Sequence, residues 1–462
     1  MRIFRAARAA QAGQPQGSDA SGERAPGHDG PGPAGAPPPP PGYSDANRRV
    51  RVLVITQNFP LPSDRRVWNE LLALRDAGYQ LVAICPEGEG GNAGRFARLE
   101  GIDVFRYRQI PAKGGALSYL IEYTAAFWRI RRLARRVAGQ RGFDIVQASN
   151  PPDFLLLAVR FLKRRGARFI FDHHDLAPEL YVARFGGRGV FYPLALGLEW
   201  LNFRVTDLVL ATNESYRRVA LRRGRKHPDD VFVVRSGPEL TRFQPVPADP
   251  ALKRGRQHLI TYIGEMAPQD GIDHAILALA HLREMREDWH AVLAGDGPAL
   301  GGLRKLITEL GLEEWIELPG WLEDPELRTL LCSADVCLVP DPKTPLSDAS
   351  TLVKTAEYMA MSRPIVAYDL AETRVTAGDA AIYAGPDQPQ VFARAVAELL
   401  DDPRRREQMG RIGRERVENG LSWEHSRTQL LAAYTAALAR ETRSRVPLRA
   451  RSRIARAPRR VI

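Results

Sequence analysis

The chain is short of cysteine: 462 residues carry only Cys85, Cys332 and Cys337, and two of these lie in or beside apolar runs. That scarcity excludes a disulfide framework and any zinc-finger spacing, and it favours a reducing compartment. Uninterrupted apolar stretches of the roughly 18 residues that span a bilayer are also missing, so no transmembrane helix is expected. The first ten residues scatter three arginines among their apolar side chains, which leaves no hydrophobic core for a secretory signal. The fingerprint Gly-x-Gly-x-x-Gly does not follow the first apolar run, which argues against a dinucleotide cofactor there. What the chain has is a hydrophobic content of 44%, enough for sizeable cores, and a net charge of +12 that suits anionic partners.

This length predicts two folded domains plus tails. Residues 1–48, rich in Ala, Gly and Pro and ending in Ala36 and five prolines, cannot build a core and are expected to be disordered. Arg51 to Gln57 reads as a buried parallel strand, Val67 to Gly78 as a helix and Gln80 to Cys85 as a second strand, which is a βαβ opening. Further strands are expected at 144–149, 168–172 and 231–234, before a proline-rich linker at Pro245 to Pro250. A second α/β half opens with the strand Leu259 to Gly264 and continues with His290 to Pro298. The predicted fold class is therefore α/β, with an N-terminal domain at 49–245 and a C-terminal domain at 246–425. Residues 426–462 are expected to form a closing helix followed by a basic tail.

Residues 339–369 concentrate the chemistry. An apolar run ends at Pro340, a Pro/Ser/Asp loop follows, and Leu352, Ala356, Met359 and Ala360 recur at helical spacing, which predicts a helix over 350–361. Its start would offer free backbone N–H groups beside Ser350 and Thr351, a natural seat for phosphate. Lys354 and Glu357 stand at i and i+3, so a cation and a carboxylate look out from neighbouring parts of that helix. The arrangement suits a nucleotide diphosphate, with Lys354 at the phosphates and Glu357 at the ribose; a plain solvated ion pair is the competing reading.

Two other clusters invite chemistry. The strand Arg168 to Asp172 runs into His173-His174-Asp175, where parallel sheets bind ligands. Asp-His-His also occurs in metal-dependent phosphoesterases, but the upstream Asp-x-Asp and His ligands such chemistry needs are missing, and a capping cluster is a third reading. The loop after the first strand carries Arg65 and Arg66, which suit either an acceptor phosphate or a salt-bridged turn. The stretch 119–137 mixes Tyr, Leu, Ile, Phe and Trp128 with five arginines. It reads as an amphipathic helix that lies on anionic lipid or simply turns a basic face outward.

The run Pro345 to Ala360 resembles the donor segment of family 4 glycosyltransferases of the GT-B fold, and it is most similar to a bacterial exopolysaccharide or O-antigen branch. The resemblance spans about residues 50–438 and is sharpest at 56–80, 168–180 and 339–369. It implies two Rossmann-like domains facing across a cleft and a retaining sugar transfer from a nucleotide-diphosphate sugar, without metal or other cofactor. It places His174 and Lys354 at the reaction centre, and Glu357, Ser350, Thr351, Gly264, Gly295, Arg235 and Trp321 around the donor, with Arg65 and Arg66 on the acceptor side. Position 349, where the family has a first Glu, is Ala, and the loop after Gly264 carries Glu265 and Asp270 in place of basic residues. Implied partners are a polyprenyl-phosphate-linked acceptor and an anionic membrane surface met by 119–137 and 440–460, with no nucleic acid. The expected location is cytoplasmic, peripheral on the inner face of the plasma membrane. A catalytically silent GT-B-like nucleotide- or partner-binding subunit is the alternative.

Overall fold

Short runs of Val, Ile, Leu and Ala, each too brief for a helix and bounded by Gly, Pro or Asp, set the framework of two parallel sheets. The computed structural model of the protein describes residues 49–88, 94–110, 116–139, 142–385 and 387–444. The first sheet holds eight strands: β1 (Arg51–Ile55), β2 (Gln80–Pro86), β3 (Phe96–Leu99), β4 (Ile102–Tyr107), β5 (Ile145–Ser149), β6 (Arg168–His173), β7 (Leu208–Ala211) and β8 (Val231–Val233). Their order is β3-β4-β2-β1-β5-β6-β7-β8, and only the β3–β4 pair is antiparallel. The second sheet is parallel throughout: β9 (His258–Ile263), β10 (Trp289–Ala294), β11 (Ile316–Glu317), β12 (Val336–Val339), β13 (Ile365–Tyr368) and β14 (Ala381–Ala384), ordered β11-β10-β9-β12-β13-β14.

Each sheet reverses its winding direction once: at β1, which lies between β2 and β5, and at β9, which lies between β10 and β12. Loops leaving the carboxyl ends of strands diverge at such points and leave a crevice for a ligand. The residues that follow β1, β5 and β6 on one side, and β9 and β12 on the other, therefore occupy the binding positions.

The last helix, Trp423–Ser444, returns to the first sheet and begins three residues earlier than the sequence predicts. Trp423, Leu430, Ala433, Tyr434 and Ala437 join one core cluster with Val52, Leu71, Leu74, Ile170 and Leu210. Fully burying a leucine such as Leu430 contributes about 1.5–3 kcal/mol, so this helix completes the domain rather than decorating it. The crossing depends on Gly237, where an added Cβ would overlap the Leu421 carbonyl oxygen. The Trp423 amide donates to the Pro238 carbonyl at 3.0 Å.

The expected helix at 350–361 is corrected. Pro345–Ala349 forms a short helix capped by Thr344, residues 350–352 are extended, and a second helix runs Val353–Ala360. Pro345 at the first helical position and the Thr344 hydroxyl accepting from the Ser347 amide start the first piece early. The segment 119–137 lies within the helix Ala116–Ala138, which buries Ala126, Ile130, Ala134 and Ala138 at a spacing of four. Residues 1–48 and the tail beyond 444 lie outside the described residues.

Candidate functional site

At the turning point of the second sheet, Lys354 is the central charge. It rises from the first turn of Val353–Ala360, and its Nζ lies 2.9 Å from Asp341 Oδ2, just past β12, and 4.0 Å from Asp270. The ammonium also donates to the Tyr262 hydroxyl of β9 at 3.2 Å. Burial alone would lower the Lys354 pKa, but Asp341, Tyr262 and Asp270 outweigh it and hold the group well above its usual range. The helix cap at Leu352 supplies no side-chain acceptor, and the Thr355 amide already donates to the Leu352 carbonyl at 3.0 Å, so donor capacity toward a ligand rests with the amides of Val353 and Lys354. Asp270 turns back onto its own loop, accepting from the Ala267 amide at 3.1 Å. Burial pushes its carboxyl up to about 6, against the pull of Lys354.

The glycines around this point let three loops converge. Gly295 has φ +154, and a Cβ there would fall inside the Gly264 carbonyl oxygen. Its amide donates to Gly320 O at 2.8 Å, which brings the loop bearing the exposed Trp321 to the same rim. One turn beyond Lys354, Glu357 lies 3.8 Å from Arg242 Nη1 and is largely enclosed. Burial raises its carboxyl, with Arg242 and then Arg65 opposing.

At the carboxyl end of β6 the first domain builds a buried charge relay. His174 Nδ1 meets Asp172 Oδ2 at 3.1 Å, and its backbone amide donates to Asn150 Oδ1 at 2.9 Å. Burial disfavours the charged imidazole, yet Asp172 overrides it and lifts His174 to about 9. At neutral pH this side chain is therefore a cationic hydrogen-bond donor, not a base. Asp172 stays ionised although burial opposes it, because Arg66 and then His174 hold its carboxyl well below the usual range. Behind it lies Glu70, raised to about 8 by burial and by Asp172. It accepts from Gln147 Nε2 at 2.6 Å, and Gln147 in turn accepts from the Tyr434 hydroxyl of the closing helix at 2.7 Å.

The two domains touch through residues 346–351. Leu346 and Ala349 pack against the first domain's core. Asn213 Nδ2 donates to both Ala349 O and Thr351 Oγ1 at 2.9 Å, and the Tyr216 and Ser350 hydroxyls lie 3.0 Å apart. Ser215 donates to Glu372, and Arg65 reaches Asp324 at 3.0 Å. Burial raises Asp175, and Glu265 of the second domain adds to that rise from across the gap. The strand ends of both sheets thus face one another.

Comparison with known proteins agrees with this architecture. The family model described as Glycosyltransferase Family 4 matches residues 63–242, and the one described as Glycosyl transferases group 1 matches 257–402. The MMP alpha-(1->4)-mannosyltransferase of Mycolicibacterium hassiacum is 28% identical over 323 residues, 67% of this chain and 74% of that protein. The chain is a glycosyltransferase of the GT-B, family 4 type. For further relatives the match spans 38% to 59% of their length. The fold is that of the sucrose-phosphate synthase of Thermosynechococcus elongatus, with TM-score 0.67, 18% identity, and 85% and 100% of the two chains covered. It is also that of Anabaena HepE in complex with UDP-glucose, with TM-score 0.63, 15% identity, and 84% and 100% covered.

Within this glycosyltransferase the expected site residues divide by what they touch. His174, Lys354, Glu357, Gly264, Gly295 and Trp321 all stand on loops or helix turns that follow strand ends. Ser350 and Thr351 lie before the helix rather than in it, and their hydroxyls are turned to Tyr216 and Asn213. Of the two readings of Arg66 the contacts favour the salt bridge over the acceptor phosphate: its guanidinium donates to Asp172, the Val234 carbonyl and the Ser236 hydroxyl, and its side chain is only 9% exposed. Arg65 bridges to Asp324 at 3.0 Å, and its side chain is 53% exposed. Arg235 keeps one buried nitrogen, Nη1, with no hydrogen-bond partner among the described residues. His173 points away from His174 and packs on Phe171, Phe203 and Tyr216. Among the described residues no group of three or more His, Cys, Asp or Glu is placed to hold a metal ion. Sequence reasoning missed Asp341, Tyr262, Asn150, Asn213 and Arg242: Asp341 and Asn150 stand just beyond strand ends and Asn213 at a helix start, whereas Tyr262 lies within β9 and Arg242 in the loop after β8, where no sequence signal marks them.

Proposed function

We propose that this glycosyltransferase moves a sugar, with retention of anomeric configuration, from a nucleotide-diphosphate sugar to a lipid-linked or polysaccharide acceptor in cell-surface glycan synthesis. What supports the reading is His174 at a strand end of one domain and a helix start with Lys354 at the turning point of the other sheet, with the two domains joined through Asn213, Ala349 and Thr351. As the sugar–phosphate bond breaks, its electron pair passes to the departing phosphate oxygen. Lys354, the amides after Leu352 and the unpartnered nitrogen of Arg235 would stabilise that charge, and Glu357 would accept from the ribose hydroxyls. The protonated His174 would donate to the sugar or its phosphate. The acceptor oxygen bonds to the sugar carbon on the face the phosphate leaves, and its proton passes to that phosphate oxygen, so no protein base is required.

Because Asp341 already balances Lys354, a diphosphate meets a positioned donor rather than an uncompensated cation. The scheme needs no metal, and the proposed location is the cytoplasm, peripheral on the inner membrane face. The test incubates the protein with UDP- and GDP-sugars and polyprenyl-phosphate-linked acceptors, starting with UDP-glucose, and reads diphosphate release and product anomer. A retained anomer supports the reading and an inverted one overturns the mechanism. A second reading, a nucleotide-binding subunit without turnover, is favoured by the Asp341–Lys354 pair and by Ala349; tight nucleotide binding with no transfer to any acceptor would select it.

A further inference from the structure

On the first domain, beside the His174 loop, three helices enclose a cavity of about 450 Å³. Ala116–Ala138, Ala177–Phe185 and Tyr192–Val205 form its walls together with the turn Pro151 to Phe154. Phe127, Phe154, Leu157, Leu180 and Leu198 supply most of the lining. The size falls within the roughly 300–1,000 Å³ of ordinary ligand sites, but the lining is far more apolar than a sugar or nucleotide pocket would be. Its lining holds one carboxylate, Asp153, and one arginine, Arg184; Asp153 is buried, and that burial raises its carboxyl well above the usual range. The wall is also continuous with the reaction centre. Asn150, next to the lining Pro151, accepts from the His174 and Asp175 amides, and Asp175 lies two residues before the lining Ala177.

The surface around the cavity is unusual for a water-facing one. Among the described residues, eight of the fifteen exposed large apolar side chains belong to these helices and their connecting loop, including Trp128, Val190, Leu194 and Trp200. The same surface carries cations without outward acids. Glu179 and Glu199 are the acids of the two shorter helices, and both are ion-paired inward to Arg223. Glu122 of the long helix is buried and accepts from Gln57. Arg132, Arg135, Arg136, Arg184, Arg188 and Arg204 are exposed. Apolar side chains among arginines, with the carboxylates turned inward, complement an anionic lipid headgroup layer. The chain's own first tail offers little to fill the cavity, since residues 5–42 contain no Leu, Ile, Val, Met or aromatic side chain.

We propose that this cavity receives the hydrocarbon chain of a single-chain, polyprenyl-type lipid phosphate, whose head group is thereby delivered to His174. A single cavity walled by three helices suits one chain better than the paired chains of a diacyl lipid. The inference rests on the glycosyl-transfer reading only for the fate of the head group; the binding of the chain stands apart from it.

The test titrates the full chain with geranylgeranyl monophosphate, with inorganic phosphate and dioleoyl phosphatidic acid as comparison arms, and in parallel with UDP and GDP. Saturable binding of the prenyl phosphate, at least about tenfold tighter than either comparison arm, is expected. Ala195→Trp, which fills the cavity from its wall, should weaken that binding by about tenfold or more while nucleotide affinity stays within about twofold. Arg188→Glu with Arg204→Glu, both on the outer surface, should reduce association with phosphatidylglycerol vesicles and leave soluble prenyl-phosphate binding in place. Absence of saturable binding, equal binding of the diacyl lipid, or indifference to Ala195→Trp in a folded variant would overturn the proposal. So would a concentration-dependent dimer that Ala195→Trp dissolves while no lipid binds. Prenyl binding with no affinity for any nucleotide would uphold the cavity's ligand and sink the glycosyl-transfer reading instead.

Discussion

Lys354 and His174 are both cations held in place by a carboxylate, and each makes a different demand on an experiment. Removing the ammonium with Lys354→Ala deletes a charge-assisted contact worth about 1.5–3 kcal/mol, roughly a tenfold to hundredfold loss in kcat/KM. Steady-state kinetics beside nucleotide titration check it, and an unchanged rate would take Lys354 out of the mechanism. Because Asp341 Oδ1 accepts from that ammonium at 3.1 Å, Asp341→Asn should strengthen nucleotide binding yet slow turnover, since the site gains net positive charge but the lysine loses its anchor. For His174 the sign follows from a folded pKa of about 9 against about 6.5 in the unfolded chain. Its stabilising contribution is fully present below about 6.5 and is lost as pH rises through about 9. Between those limits the midpoint of urea unfolding should fall with pH, and His174→Gln should flatten that slope. Transfer activity should decline through the same upper limit, because the neutral imidazole no longer donates as a cation.

At the level of elements, the donor segment shows what a sequence can and cannot announce. Leu352, Ala356, Met359 and Ala360 marked a helix correctly, but the extended break at 350–352 follows from contacts with Asn213 and Tyr216 more than a hundred residues away. No local periodicity encodes such a contact. Strands such as β1, β2, β5, β6, β9 and β10 were legible because each is a short apolar run, whereas β3 and β4 are interrupted by polar residues and were not predicted; the positions of Glu357 and Lys354 followed from helical spacing. Arg66 stayed undecided between two readings for the opposite reason: in sequence it sits in a polar loop, whereas folding places Asp172 and Ser236 around it. The cross-domain role of Asn213 is testable. Asn213→Ala should cost about 1 kcal/mol for its lost hydrogen bonds and speed amide exchange across 345–352, with nucleotide affinity reduced. Unchanged exchange in that stretch would mean the packing of Leu346 and Ala349 holds it alone.

For the molecule as a whole, the first sheet is finished by the final helix. Gly237→Ala should push the crossing strand away from the Leu421 carbonyl and destabilise the fold by about 1–3 kcal/mol, read as a lower urea midpoint; no change would mean the crossing has slack. Tyr434 and Gln147 are 287 residues apart in sequence yet share a hydrogen bond that leads through Glu70 and Arg66 to Asp172. A nascent chain therefore emerges with Val52, Leu71 and Ile170 uncovered, and they remain so until Trp423–Ser444 has left the ribosome. The C-terminal half, whose core needs nothing from the last helix, is free to consolidate first. Synthesis order and maturation order are thus expected to run in opposite directions: the part translated first should become competent last, and a transcript cut short by a few dozen codons should yield a sound second domain attached to an unfinished first one.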